Sequence, residues 1–136
     1  MSTLKTRILV VDDDTMLLEM YKERLMMQGF DVHTASNGEE ALSRAVEVLP
    51  HVILLDVMMP KINGFDVMNI LKSTPETKDI PVIILTALSQ ENHKQKGLTD
   101  GADGFLVKSE TMPKDVVAKI EAVVAANKKH LEDAAK

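Results

Sequence analysis

The chain has 136 residues, 45% of them hydrophobic, which suits one domain with a continuous core. A net charge of −5 argues against general affinity for nucleic acid or acidic membranes. The absence of cysteine excludes disulfides and thiolate metal sites. No apolar run is long enough for a bilayer span or a signal peptide, so we expect a soluble, cytoplasmic protein.

Five short runs rich in aliphatic and β-branched residues predict strands. In chain order they are Ile8–Val11, Val32–Ala35, Val52–Leu55, Val82–Leu85 and Phe105–Val107. The first, third and fourth contain no polar residue, which is typical of strands covered on both faces in a parallel sheet. The second is more mixed.

The segments between and after these runs have helical spacing of apolar residues. Asn37 with Glu40 fits a capping box, Gly29 can end the first helix, and Pro113 suits the first turn of the last. The segment Ser89–Gly97 is nearly all polar, so a helix there would be weakly anchored and is a candidate moving part.

Alternating strands and helices of this length favour a doubly wound α/β fold with its site beyond the carboxyl ends of the strands. We interpret residues 1–136 as one domain with a core over about 4–125, and 126–136 as a polar helical extension. The nine methionines are interpreted mainly as adaptable core filling, with Met58 and Met59 as exceptions beside the site.

Acidic, hydroxyl and basic residues follow the predicted strands. They are Asp12, Asp13 and Asp14 after the first, Asp56 after the third, Thr86 after the fourth and Lys108 after the fifth. Carboxylates gathered at one sheet edge raise one another's pKa unless a cation compensates, and Lys108 supplies one. Carboxylate ligands without His or Cys suit Mg²⁺, which commonly binds a phosphate as well. An Asp carboxylate can then act as the nucleophile in phosphoryl transfer.

An alternative interpretation is that these acidic residues are solvated turn formers and helix caps, as a single Asp after a strand usually is. Asp14 fits such a cap. The presence of acid, hydroxyl and lysine at the same edge favours a functional cluster.

The sequence resembles the response-regulator receiver family through five motifs. They are ILVVDDD at 8–14, LLDVMMP at 54–60, NGF at 63–65, ILTA at 84–87 and GADGFLVK at 101–108. The resemblance covers about residues 4–125. It implies a five-stranded parallel sheet in the order 2-1-3-4-5 flanked by five helices, here as a stand-alone receiver.

The resemblance also implies roles for individual residues. Asp56 is the phosphorylated residue. Mg²⁺ is held by Asp13 directly, by Asp12 mainly through water, by Asp56, and by the backbone carbonyl of Met58.

The same resemblance implies that Thr86, Ala87 and Lys108 contact the phosphoryl oxygens. Phe105 occupies the aromatic switch position, which turns inward when Thr86 moves toward the phosphate. From the residues alone, Phe105 is equally well interpreted as a core aromatic of the last strand.

One departure from the family concerns Ser109, which follows Lys108 where the family usually has a proline, often after a cis bond. A cis bond before a residue other than proline costs about 2.5 to 4 kcal/mol, so the loop is either trans and repacked or strained. Met58 and Leu88 occupy positions that tune aspartyl-phosphate lifetime in the family, and their apolar side chains predict slow self-hydrolysis.

The resemblance implies a signalling switch rather than a metabolic enzyme. Its phosphodonor is a histidine kinase or histidine phosphotransfer protein. Its output is an unidentified protein that binds the predicted fourth helix, at Ser89–Gly97, together with the last strand and the last helix. We expect a monomer or weak dimer without direct contact to nucleic acid or membrane. Two rival hypotheses are an Asp-dependent phosphohydrolase, which Asp12 and Asp14 fit weakly, and a docking module whose site has decayed at Ser109.

Overall fold

The computed structural model describes residues 5–87 and 101–135, the last eight of these by their backbone alone. The strands β1 to β5 are Arg7–Val11, Asp31–Ala35, Val52–Leu55, Val82–Thr86 and Gly104–Val107. The α-helices α1 to α4 are Thr15–Met27, Gly38–Val48, Gly64–Lys72 and Pro113–Ala135. A 3₁₀ turn, Lys108–Glu110, follows β5 directly.

The five strands form one parallel sheet in the order β2-β1-β3-β4-β5. This confirms the predicted fold class and strand order. Four α-helices are found in the described residues, where five were predicted, because the segment Ser89–Gly97 lies outside them. None of the helices in the described ranges combines the length and apolar character needed to cross a bilayer.

Two hydrophobic cores lie on opposite faces of the sheet. Helices α2 and α3 cover one face, and α1 and α4 cover the other. Strands β3 and β4 are buried along their whole length, as is β1 from Ile8 onward, which explains their unbroken apolar sequences. Strand β2 lies at the sheet edge and is mostly half-buried, which explains its mixed composition.

Side-chain caps begin three of the helices at the carboxyl edge of the sheet. Asp14 accepts hydrogen bonds from the backbone N–H groups of Met16 and Leu17 at the start of α1. Asn37 accepts one from Glu40 N–H, as predicted, and the Glu40 carboxylate accepts one from Ser36 N–H. The helix starts therefore lie at fixed positions beside the strand ends.

The methionines are more exposed than predicted. Five of them are exposed, namely Met16, Met26, Met27, Met58 and Met112, whereas Met59 and Met68 are buried. The interpretation of the methionines as mainly core filling is therefore wrong for most of those described, and Met59 packs in the core rather than at the surface of the site.

Asp103 joins the start of β5 to the start of β4. Its backbone N–H donates to Val82 O at 2.7 Å, and its Oδ2 accepts from Val82 N–H at 2.9 Å. Lys72 Nζ lies 3.5 Å from the same oxygen. These contacts fix the start of β5, the strand that leads into Lys108.

We expect Asp103→Ala to lower the free energy of unfolding by about 1–3 kcal/mol, because Val82 N–H loses its acceptor. The control is Asp103→Asn, whose side-chain carbonyl can still accept from Val82 and should retain most of the stability. Urea denaturation measures both variants. An alanine variant as stable as the wild type would contradict this role.

Candidate functional site

Four strand ends place the predicted residues at one edge of the sheet. Asp12 and Asp56 directly follow β1 and β3, which are neighbours in the sheet. Asp12 N–H donates to Ala35 O at 3.2 Å, and Asp56 N–H donates to Val11 O at 3.0 Å. Both aspartates thus extend the backbone ladder beyond their strands, which gives their side chains a rigid base.

Lys108, from the end of β5, contacts both of these aspartates. Its Nζ lies 2.7 Å from Asp12 Oδ2 and 3.3 Å from Asp56 Oδ2. Asp12 and Asp56 are only 3% and 4% exposed. One ammonium group is therefore shared between two buried carboxylates.

The second oxygen of each carboxylate accepts a backbone hydrogen bond from two residues further along the chain. Asp12 Oδ1 accepts from Asp14 N–H at 2.9 Å, and Asp56 Oδ1 accepts from Met58 N–H at 3.2 Å. Each carboxylate is thus held by one lysine contact and one local turn. The pair is pre-oriented before any ligand arrives.

Asp13 completes an acidic cluster with this pair. Ligand oxygens of Asp12, Asp13 and Asp56 all lie within 4.8 Å of one another, and Asp13 is exposed to solvent. Carboxylate oxygens at this spacing, open to water on one side, fit a hard divalent cation that keeps part of its hydration shell. The site therefore combines a candidate metal centre with a lysine.

Residues 8–121 match the response regulator receiver domain. The chain belongs to the response regulator receiver family. The receiver is 39% identical over 125 residues to the probable transcriptional regulator ycf27 of Guillardia theta, a match that covers 92% of this chain and 48% of the relative. It spans about half the length of the curated relatives it matches.

Solved structures show the same fold. A CheY-like response regulator receiver domain protein from Methanospirillum hungatei is 25% identical with a TM-score of 0.86, and the match covers 93% of this chain and 99% of that one. Chemotaxis protein CheY4 of Vibrio cholerae is 32% identical with a TM-score of 0.82, over 88% of this chain and 99% of that one.

Burial and neighbouring charges shift the pKa values of Asp56 and Lys108. Burial raises the pKa of Asp56, and the Asp12 charge raises it further, against the opposing effects of Lys108 and Met58 N–H. Burial alone would lower the pKa of Lys108, but its hydrogen bond to Asp12 and the charges of both aspartates outweigh burial and raise it. Lys108 therefore stays protonated at neutral pH, whereas burial disfavours the ionised form of Asp56 relative to its protonated form.

The other predicted site residues lie near the ends of β4 and β5. Thr86 is fully buried and is the last residue of β4 rather than the first after it, and Ala87 follows it at the surface. Phe105 is half-buried against the α2/α3 core. The Met58 side chain is 55% exposed. Leu88 lies outside the described residues.

The peptide bond between Lys108 and Ser109 is trans, like every other in the described residues. A 3₁₀ turn begins at Lys108, directly after β5. Lys108 nevertheless reaches both aspartates. The replacement by Ser109 therefore leaves the lysine at the site.

The loop between β3 and α3 contains a tight turn and a helix cap that were not predicted. Lys61 has φ of 68°, and Ile62 N–H donates to Pro60 O at 2.9 Å, which makes a strained γ-turn. Asn63 caps α3 by accepting from Asp66 N–H at 3.0 Å. A sequence signal for this cap exists, because an Asn-Gly pair begins both α2 and α3 and an acidic residue follows each Asn by three positions.

We expect Asp56→Asn to raise the free energy of unfolding near pH 7 without metal, because ionised Asp56 is destabilised by burial. The pKa of Asp56 in the folded protein is raised above its ordinary value of 3.8. The protonated carboxyl therefore contributes its full stability below pH 3.8, and this contribution is lost as the pH rises through the folded pKa. The gain from Asp56→Asn should therefore shrink between pH 7 and pH about 4.

Denaturation with a metal chelator at both pH values measures this difference. The matched control is Asp14→Asn at the exposed cap of α1, where Asn caps as well as Asp and the change should stay within about 0.5 kcal/mol. An Asp56→Asn variant less stable than the wild type at pH 7 would refute the electrostatic account.

Proposed function

We propose that this receiver accepts a phosphoryl group on Asp56 from a phosphohistidine of a histidine kinase or histidine phosphotransfer protein, in a reaction that depends on Mg²⁺. The observation that carries this proposal is the sharing of Lys108 between Asp12 and buried Asp56. A lysine so placed stands where negative charge increases when Asp56 is modified. Family membership supports the same reaction.

In this reaction an Asp56 oxygen attacks phosphorus while the phosphorus–nitrogen bond of the donor breaks, and the leaving histidine nitrogen takes up a proton. Met58 N–H holds one oxygen of Asp56, so the carboxylate cannot rotate freely. Lys108 neutralises charge on a phosphoryl oxygen. Thr86 and Ala87, at the end of β4, are the proposed contacts to the others.

Asp12, Asp13 and Asp56, with the Met58 carbonyl, are the proposed ligands of Mg²⁺. When bound, the ion would neutralise phosphoryl charge and the mutual repulsion of the carboxylates. The ligand oxygens of the three aspartates lie within 4.8 Å of one another, which supports this assignment.

The proposed output is a conformational change that reaches the surface of β5, α4 and the segment Ser89–Gly97. Thr86 pairs in register with Val107, and Ile84 pairs with Phe105, so a shift at the end of β4 acts directly on β5. The Phe105 side chain is half-buried, which is compatible with a side chain that turns between an outward and an inward position. The stand-alone organisation and the existence of an output partner that binds this surface stay predictions.

The two rival hypotheses are less well supported. A phosphohydrolase would need Asp14 as a second catalytic acid, but Asp14 is engaged as the cap of α1. A decayed docking module would not need Lys108 in contact with both aspartates, and these contacts are present despite Ser109. Turnover of a phosphatase substrate much faster than the labelling of Asp56 would favour the hydrolase.

We expect a small-molecule phosphodonor with Mg²⁺ to label the receiver at one phosphoryl group per chain, and Asp56→Asn to abolish labelling because the nucleophile is lost. Phosphate-affinity electrophoresis and intact mass spectrometry measure the label. Asp14→Asn makes the same chemical change two residues from Asp12 at an exposed cap and should label normally. Full labelling of Asp56→Asn would refute the assignment.

We expect Met58→Asn to shorten the lifetime of the phosphorylated form several-fold. A polar amide in place of an exposed apolar side chain two residues past Asp56 can hold the attacking water. Phosphate release after removal of the donor measures the lifetime. Met112→Asn, an equally exposed methionine away from Asp56 in sequence, is the control. Equal lifetimes in the wild type and Met58→Asn would show that this position does not control hydrolysis.

A further inference from the structure

The loop after Asp56 returns to its own beginning. The Val57 carbonyl accepts from Met59 N–H at 3.0 Å and from Gly64 N–H at 2.9 Å. Gly64 is the first residue of α3, so the chain returns to Val57, the residue after Asp56, at the point where the helix begins. One carbonyl therefore joins both ends of this loop.

At this point Gly64 approaches the backbone of Asp56 more closely than any other residue type could. A Cβ atom on Gly64 would lie 2.2 Å from Asp56 O and 2.7 Å from Val57 Cα. Both are backbone atoms, and Asp56 is itself tied to the sheet, since its N–H is bonded to Val11 O. Space, rather than backbone conformation, therefore requires glycine here.

Helix α3 is anchored independently of this contact. Asn63 caps its first turn, and Phe65, Val67 and Met68 are buried in the α2/α3 core. The helix can therefore act as a fixed support. The Asp56 backbone is held between the sheet on one side and the start of α3 on the other.

We infer that Gly64 is a positioning residue for Asp56, because its missing side chain lets α3 begin against the Asp56–Val57 backbone and thereby sets the course of the loop through Met58. Met58 N–H orients the Asp56 carboxylate. The inference rests on the proposed function in so far as the Met58 carbonyl is a metal ligand. A side chain at position 64 would shift the loop backbone that carries the Met58 N–H and the Met58 carbonyl.

Gly38 provides a matched comparison. It is also buried, is also the first residue of its helix, and also follows an Asn cap. A Cβ atom on Gly38 would lie 2.9 Å from Ile62 Cβ and 3.0 Å from Val67 Cγ2, which are side-chain atoms, and 3.1 Å from Ile62 O. Gly38→Ala therefore makes the same chemical change without a clash at Asp56.

The test compares Gly64→Ala with Gly38→Ala in the full chain, by amide hydrogen exchange without metal and by calorimetric titration with Mg²⁺. We expect Gly64→Ala to speed exchange at Met58 N–H and to weaken Mg²⁺ binding by about tenfold or more, as loss of support behind a metal ligand does. Gly38→Ala, whose Cβ meets Ile62 and Val67 rather than the Asp56 backbone, should change exchange at Met58 and Mg²⁺ affinity much less than Gly64→Ala does. Equal behaviour of the two variants in both measurements would overturn the inference.

A second pair covers the case in which Gly64→Ala does not fold. Asn63→Ala loosens the first turn of α3 without added bulk, and Asn37→Ala does the same to α2. Faster exchange at Met58 in Asn63→Ala alone supports the inference, and equal exchange in the two overturns it. Wild-type receiver that binds no Mg²⁺ would refute the proposed metal site, whereas the exchange measurement without metal still decides the role of Gly64.

Discussion

The contact of one ammonium group with two buried carboxylates is the interaction on which the site depends. Without Lys108, Asp12 and Asp56 would be two neighbouring charges with little access to water, and their repulsion and desolvation would be uncompensated. The three residues are far apart in sequence, with separations of 96 and 52 residues from the lysine. The site therefore forms only when β1, β3 and β5 have taken their places in the sheet.

The strand order explains why the carboxylates are neighbours. Strands β1 and β3 are adjacent, but the chain leaves β1 for a helix on one face and leaves β3 for a helix on the other. The crevice between two such diverging connections is where ligands bind in doubly wound sheets. Asp12 and Asp56 flank this crevice, and Lys108 reaches it from the far edge strand, past β4.

Much of this arrangement is predictable from the sequence, because burial on both faces demands unbroken apolar strands. The runs beginning at Ile8, Val52 and Val82 follow that rule, and the residues after them meet at one edge by geometry alone. Contacts that depend on distances of a few ångströms are not encoded in such patterns. The sequence could not show that Lys108 contacts both aspartates, and it left the bond to Ser109 open between cis and trans.

Local backbone geometry was equally hidden. Gly64 looked like an ordinary motif residue, yet the atoms around it leave no room for a Cβ. The methionines were misjudged for a related reason, since their apolar character is compatible with core or surface and only packing decides. The wrong or missing expectations thus concern the packing around individual residues, which composition and periodicity do not specify.

The distribution of rigid contacts limits where a conformational change can occur. A ligand shifts the equilibrium between two conformations only by the difference in its affinity for them, and here the ligand is the proposed phosphoryl group. Asp12 and Asp56 are fixed by ladder hydrogen bonds, and Gly64 adds a close contact behind Asp56. Strands β1 and β3 are therefore poor candidates for movement. We therefore propose that the response to phosphorylation of Asp56 passes to the end of β4, at Thr86 and Ala87, and to the half-buried residues of β5 beside it.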